Sequence, residues 1–146
     1  MPKVRSSRFV RLLAAAAAGA LGVVAMLPAA SAQAGTGTFT VSVKGGYNNT
    51  VPLGTASGSM TGVKGGGQAS YSVTLCGQNT YPSSRVTIQW GTAMADHTVY
   101  YQACETFTGT LYSSYGLTDF EVVVYGSTFY PGNQYTTYSK SAIRYF

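Results

Sequence analysis

Charged side chains are scarce in this chain: Asp, Glu, Lys and Arg make up 9% of its 146 residues. That excludes a coiled coil, an acidic solvating tail and a long charged helix. Acids are the scarcest of all, with Asp96, Glu105, Asp119 and Glu121 as the full set. There is one histidine, His97, and there are two cysteines, Cys76 and Cys104. Two Cys and one His cannot close a four-ligand zinc site without carboxylates. No stretch has the clustered acids of a calcium loop. Neither a metal nor another cofactor is expected. No Gly-x-Ser-x-Gly nucleophile turn occurs either. His97 follows Asp96 directly, and neighbours in a strand point to opposite faces. Asp96 therefore cannot stand behind the imidazole as a triad acid must. Asp119 and Glu121 share a strand face at about 6–7 Å, a spacing a glycosidase pair tolerates. They alternate with Phe120, Val122 and Val124, however, which puts them on the wet side. The expectation is a protein that is not an enzyme.

The net charge of +5 suits a nucleic-acid partner until its distribution is examined. Lys3, Arg5, Arg8 and Arg11 crowd the first eleven residues. Leu12 to Leu27 follows as an apolar run, and then Pro28-Ala29-Ala30-Ser31-Ala32-Gln33-Ala34. This is the three-part layout of a secretory signal peptide. Its 16-residue apolar run is shorter than the roughly 20 residues a membrane-spanning helix needs. Small residues stand at −3 and −1 for cleavage after either Ala32 or Ala34, and the second is favoured. Residues 1–34 are thus read as a removed leader, and residues 35–146 as one secreted domain. The alanine-rich run resembles leaders of proteins exported by high-GC bacteria, which implies a bacterial, extracellular product. What remains has Lys44, Lys64, Arg85, Lys140 and Arg144 against four acids, a net charge of +1. That predicts no nucleic-acid partner, and no membrane attachment once the leader is gone.

Two cysteines in an oxidising compartment predict one disulfide, Cys76–Cys104. Alternation of apolar and polar residues is the dominant pattern after the leader. It runs through Phe39-Val41-Val43, Tyr71-Val73-Leu75, Val86-Ile88-Trp90 and Phe120-Val122-Val124. The first three read as strands with one face buried and one wet, and the fourth, more apolar, as a strand covered on both faces at its end. His97–Cys104 and Thr106–Ser113 are further candidates, Ser59–Lys64 a weaker one, and Gln134–Tyr145 one strand or two. Turn chemistry punctuates them at Gly45-Gly46, Gly65-Gly66-Gly67, Gly77-Gln78-Asn79, Tyr81-Pro82-Ser83, Ser114-Tyr115-Gly116 and Pro131-Gly132-Asn133. The predicted fold is all-β: an antiparallel β-sandwich or small barrel of about 7–9 strands. An echo, Val43-Lys44-Gly45-Gly46 and Val63-Lys64-Gly65-Gly66, reads as two strand ends and not as a duplication.

Tyrosine is abundant, with 12 in the chain, all after the leader. Its ring is flat and apolar with a polar tip, and it orders at little entropic cost. β-Propensity and core filling account for Tyr71 and one of Tyr100 and Tyr101. They account less well for the turn-rich end. There Tyr130, Tyr135 and Tyr138, with Asn133 and Gln134, form the candidate binding surface. The expected function is non-catalytic binding of extracellular or cell-wall polysaccharide by a monomer. An extracellular protein partner, such as a secreted hydrolase to be inhibited, is the alternative, as is self-association at the cell surface.

Overall fold

The computed structural model describes residues 33–130 and 134–146. Among these residues are eight strands and one 3-10 turn, Tyr47–Asn49. The first sheet contains β1 (Ala34–Gly45), β2 (Val51–Val63), β3 (Gln68–Gly77) and β6 (Cys104–Tyr112), in the order β1-β2-β3-β6. The second contains β4 (Ser83–Trp90), β5 (Ala93–Tyr100), β7 (Asp119–Tyr130) and β8 (Gln134–Tyr145), in the order β5-β4-β7-β8. Every pairing is antiparallel. The fold is a β-sandwich with one disulfide, as the alternation predicts.

The four alternating sets supply the core between the sheets. Val43, Val73, Leu75, Val86, Ile88, Trp90, Phe120, Val122 and Val124 are all buried, as are Phe39 and Val41. Each such side chain contributes roughly 1.5–3 kcal/mol by leaving water. Phe39 meets Phe120 edge-on, with ring centroids 6.0 Å apart, and Trp90 meets Phe146 edge-on at 6.2 Å.

Two elements differ from the sequence expectation, and a third decides between two alternatives it left open. β2 begins well before Ser59, at Val51. Its inward register positions include Gly54, Ala56, Gly58 and Gly62, which pair with inward residues of β1. Small residues there hide the apolar alternation. Gly58 has a packing reason: a Cβ at that position would strike the Ser72 carbonyl of β3. Secondly, His97–Cys104 is not one strand. β5 ends at Tyr100, and Tyr101 takes the left-handed region at φ 57°. The Ala103 amide then donates to the Tyr100 carbonyl at 3.3 Å, and β6 starts at Cys104. Thirdly, Gln134–Tyr145 is a single strand. The two Val-Lys-Gly-Gly echoes are strand ends, each turning at a positive-φ glycine, Gly46 (73°) and Gly65 (75°).

Cys76 and Cys104 face each other across β3 and β6, with Cα atoms 4.1 Å apart and the disulfide formed. They alternate with buried Leu75, so the bridge lies on the outer face of the first sheet. Beyond an outward set at one end, Ala34, Val63, Gln68 and Tyr112, the register builds that face into four rows. They read Thr36–Thr61–Ser70–Thr110, Thr38–Ser59–Ser72–Thr108, Thr40–Ser57–Thr74–Thr106 and Ser42–Thr55–Cys76–Cys104. The outer face of the second sheet is different in kind, mixing Arg85, Asp96, Glu121, Met94, Tyr125 and Ile143.

Successive strands reverse direction, so the connections alternate between two poles. The β1–β2, β3–β4, β5–β6 and β7–β8 connections gather at one pole.

Candidate functional site

That pole carries tyrosine, asparagine and glutamine with no charged residue in its described connections: Gly46 to Thr50, Gln78 to Pro82 and Tyr101 to Ala103. Four aromatic rings meet there in sequence. Tyr101 lies 6.1 Å from Tyr81, Tyr81 5.5 Å from Phe129, and Phe129 5.8 Å from Tyr135, centroid to centroid. Each keeps about half its surface open: 59% for Tyr101, 50% for Tyr81, 52% for Phe129 and 51% for Tyr135. The rings thus support one another while leaving faces to solvent.

The mount is rigid. Thr80 is buried, and its Oγ1 donates to the Ser83 carbonyl at 2.6 Å and accepts from the Ser127 amide at 3.1 Å. The Tyr81 amide donates to the Ser127 carbonyl at 2.8 Å, and the Tyr101 amide to the Pro82 carbonyl at 2.9 Å. The Tyr81–Pro82 peptide is cis. Tyr101 holds a conformation that costs a non-glycine residue about 1–2 kcal/mol. Strain of this kind is retained mainly where a side chain has work to do. Beside the rings, Gln78, Asn79 and Gln102 line a depression of about 410 Å³ with Pro52 and Gly77.

The candidate residues from the sequence divide. Tyr135 belongs to the aromatic chain through Phe129. Tyr138 lies on the opposite face of β8, because its register partner is the inward Gly126. It packs against the core and lines a cavity of about 390 Å³ with Ser42, Lys44 and Asn49. Tyr130 and Gln134 pair across β7 and β8. Their side chains, like Asn133 as a whole, lie outside the described residues. Tyr81, Tyr101 and Phe129 were missed by the sequence reading. Their only local signal is position, each at a strand end or in a turn on the same pole.

Around the corner, on the outer face of the second sheet, Tyr100 and Tyr125 flank a groove of about 420 Å³ with Ser83, Thr98, Ser127 and Thr137. The Arg85 guanidinium carbon lies 4.4 Å from the Tyr125 ring centroid, a cation–π contact that flattens one wall.

His97 is an edge-strand residue turned inward and half-buried. It stacks on Phe107 at 4.3 Å and 9°, and its Nε2 lies 2.8 Å from the Tyr71 hydroxyl. Burial holds it below the ordinary histidine range, against a weaker upward pull from Asp96. A neutral ring accepts at Nε2 from the phenol, whose own ionisation burial pushes up. Asp96 points the other way and accepts from the Thr87 hydroxyl. Asp119 and Glu121 stand on the face opposite buried Phe120 and Val122, paired with Tyr145 and Ile143. Among the described residues no group of three His, Cys, Asp or Glu side chains is placed to hold a metal ion.

The chain matches no protein-family model, no curated protein and no solved structure.

Proposed function

We propose that this is a secreted, non-catalytic binding protein that takes extracellular or cell-wall polysaccharide on the aromatic pole. The observation that carries the reading is the chain of half-exposed rings from Tyr101 through Tyr81 and Phe129 to Tyr135. Sugar rings present C–H faces that stack on such surfaces, and a run of them suits a ligand that repeats. The amides of Gln78, Asn79 and Gln102 supply directional hydrogen bonds beside the rings. Nothing there requires the ligand to carry charge, which fits neutral glycans. Secretion is supported by the leader-like residues 1–34 and by a disulfide suited to an oxidising compartment. A protein ligand is the second reading. Its support is the composition of the pole, where Tyr and Asn, both enriched in antibody binding loops, recur in adjacent loops.

The test is retention of the purified protein on insoluble chitin, cellulose and peptidoglycan, with a blank resin alongside. Retention on one of them, released by its soluble oligomer, is expected. Tyr81→Ala removes the ring that touches both neighbours and should weaken binding at least about tenfold, roughly 1.4 kcal/mol, with folding intact. Full retention by Tyr81→Ala and Phe129→Ala alike would remove the aromatic pole from the reading. No retention on any polysaccharide would transfer the pole to a protein partner.

A further inference from the structure

We propose that the outer face of the β1–β2–β3–β6 sheet is an ice-binding surface, a second and independent activity of this protein. Every position in its four rows is Ser or Thr apart from the disulfide pair. The sheet spaces these hydroxyls at about 4.8 Å between strands and about 6.7 Å along each strand. The result repeats in two dimensions, which a surface that is polar merely for solubility has no need to do. The outer face of the second sheet, equally wet, has no such repeat.

Part of the array is also pre-set. Thr36 bonds to Thr61 at 2.9 Å, Ser42 to Thr55 at 3.0 Å and Thr74 to Thr106 at 2.8 Å, each directly across a strand pair. A hydroxyl has one donor and two acceptor sites. One bond across the sheet fixes its rotamer and leaves the rest pointing outward at a regular pitch. No Lys, Arg, Asp or Glu stands in the four rows, so no charge pulls water into a radial shell.

The chemistry that fits is water itself, held in the hydrogen-bonded order of the solid. A polysaccharide chain would need longer polar side chains or rings reaching from the sheet; the rows hold none, and Gln68 and Tyr112 stand at the margin beyond Ser70 and Thr110. A second copy would strip water from every hydroxyl and re-pair them across two twisted sheets out of register. Twist of roughly 20–25° between neighbouring strands confines the coplanar region to adjacent strands. The activity is therefore modest: adsorption to growing ice and arrest of recrystallisation, not a large depression of the freezing point.

The experiment follows the protein, labelled at an amine, as an ice hemisphere grows slowly in its solution, together with grain growth in a frozen film. Wild type should be taken up into the ice and hold grain size down. Ser72→Tyr places a bulky ring in the middle of the rows at an exposed position, and should raise the concentration needed by at least about tenfold. Ser72→Thr should retain activity, as should Ser141→Tyr on the other sheet. Wild type left in the liquid like serum albumin would overturn the proposal, and so would full activity in Ser72→Tyr or equal loss in Ser141→Tyr. Capture on crystalline cellulose or chitin that Ser72→Tyr abolishes, without ice uptake, would overturn it and give the face to a polysaccharide. Tyr81→Ala leaves these rows untouched, so the aromatic pole and the hydroxyl face stand or fall separately.

Discussion

Replacing both cysteines by serine tests how the disulfide works. Cys76 and Cys104 are 28 residues apart and join the end of β3 to the start of β6. Cross-linking a loop of that size stabilises the fold by about 3–4 kcal/mol in the chain-entropy model, through the denatured state. The native state loses little besides. The bridge lies on the outer face, Cys104 is exposed, and buried Leu75 beside it stays in place. The new serines complete the fourth row beside Ser42 and Thr55, and their cross-strand bond returns roughly 0.2–1 kcal/mol. The expected net loss is about 3 kcal/mol, or a fall in Tm of roughly 10–15 °C for a domain of this size. The urea m-value should rise, because the uncrosslinked denatured chain exposes more surface. The assay is urea unfolding of both proteins followed by fluorescence. Trp90 is the only tryptophan and is fully buried, so it reports the loss of the core. A loss below about 1 kcal/mol with an unchanged m-value would refute the entropic account. The serine row bond has its own control, the double replacement Cys76→Ala with Cys104→Ala. Alanine cannot make that bond, so equal stability of the two double variants would refute its contribution.

Two further outcomes follow from the interior. Burial lowers the folded-state pKa of His97, so between that value and about 6.5 the unfolded chain binds the extra proton. Stability from this group is complete above about pH 6.5 and falls as pH drops through the folded value, and His97→Gln should flatten that part of the Tm–pH curve. An identical slope in the variant would assign the acid sensitivity elsewhere. Gly109→Ala would set a methyl group into the Tyr71 ring. It should cost about 1–3 kcal/mol by overpacking, with loss of the Tyr71–His97 contact seen as a shift in the histidine ring resonances.

Local pattern carried much of the fold. Val41, Val73, Ile88 and Val122 sit in strands whose apolar period is explicit, and all four are buried. β2 and β8 were harder for opposite reasons. In β2 the inward positions Gly54, Ala56, Gly58 and Gly62 are too small to register as apolar, and Met60 alone does not make a period. In β8, Lys140 and Arg144 take inward register opposite Val124 and Phe120 on an edge strand, where charge discourages further pairing but erases the alternation. The site was less legible. Tyr81 and Tyr101 come from two separate connections and Phe129 from the end of β7, and only the alternation of poles brings them together. Tyr135 and Tyr138 looked adjacent, yet three steps along a strand reverse the face. The hydroxyl rows were half visible: each strand shows Ser or Thr at alternate positions, but a two-dimensional repeat needs the register of all four.

Gly35 lies against Phe146, so the two ends of the fold emerge side by side at the pole away from the aromatic rings. A pull applied between those ends loads β1 and β8 as zippers. Each pair of backbone bonds opens in turn, with Ala34–Val63 and Asp119–Tyr145 going first. Peeling of that sort yields to small forces, since the bonds never share the load as they would in shear. The aromatic pole lies at the opposite end of the strands from this opening edge, so its mount is among the last parts such a pull would reach. Tension between the ends would unravel the edge strands while the Cys76–Cys104 bridge still pins β3 to β6.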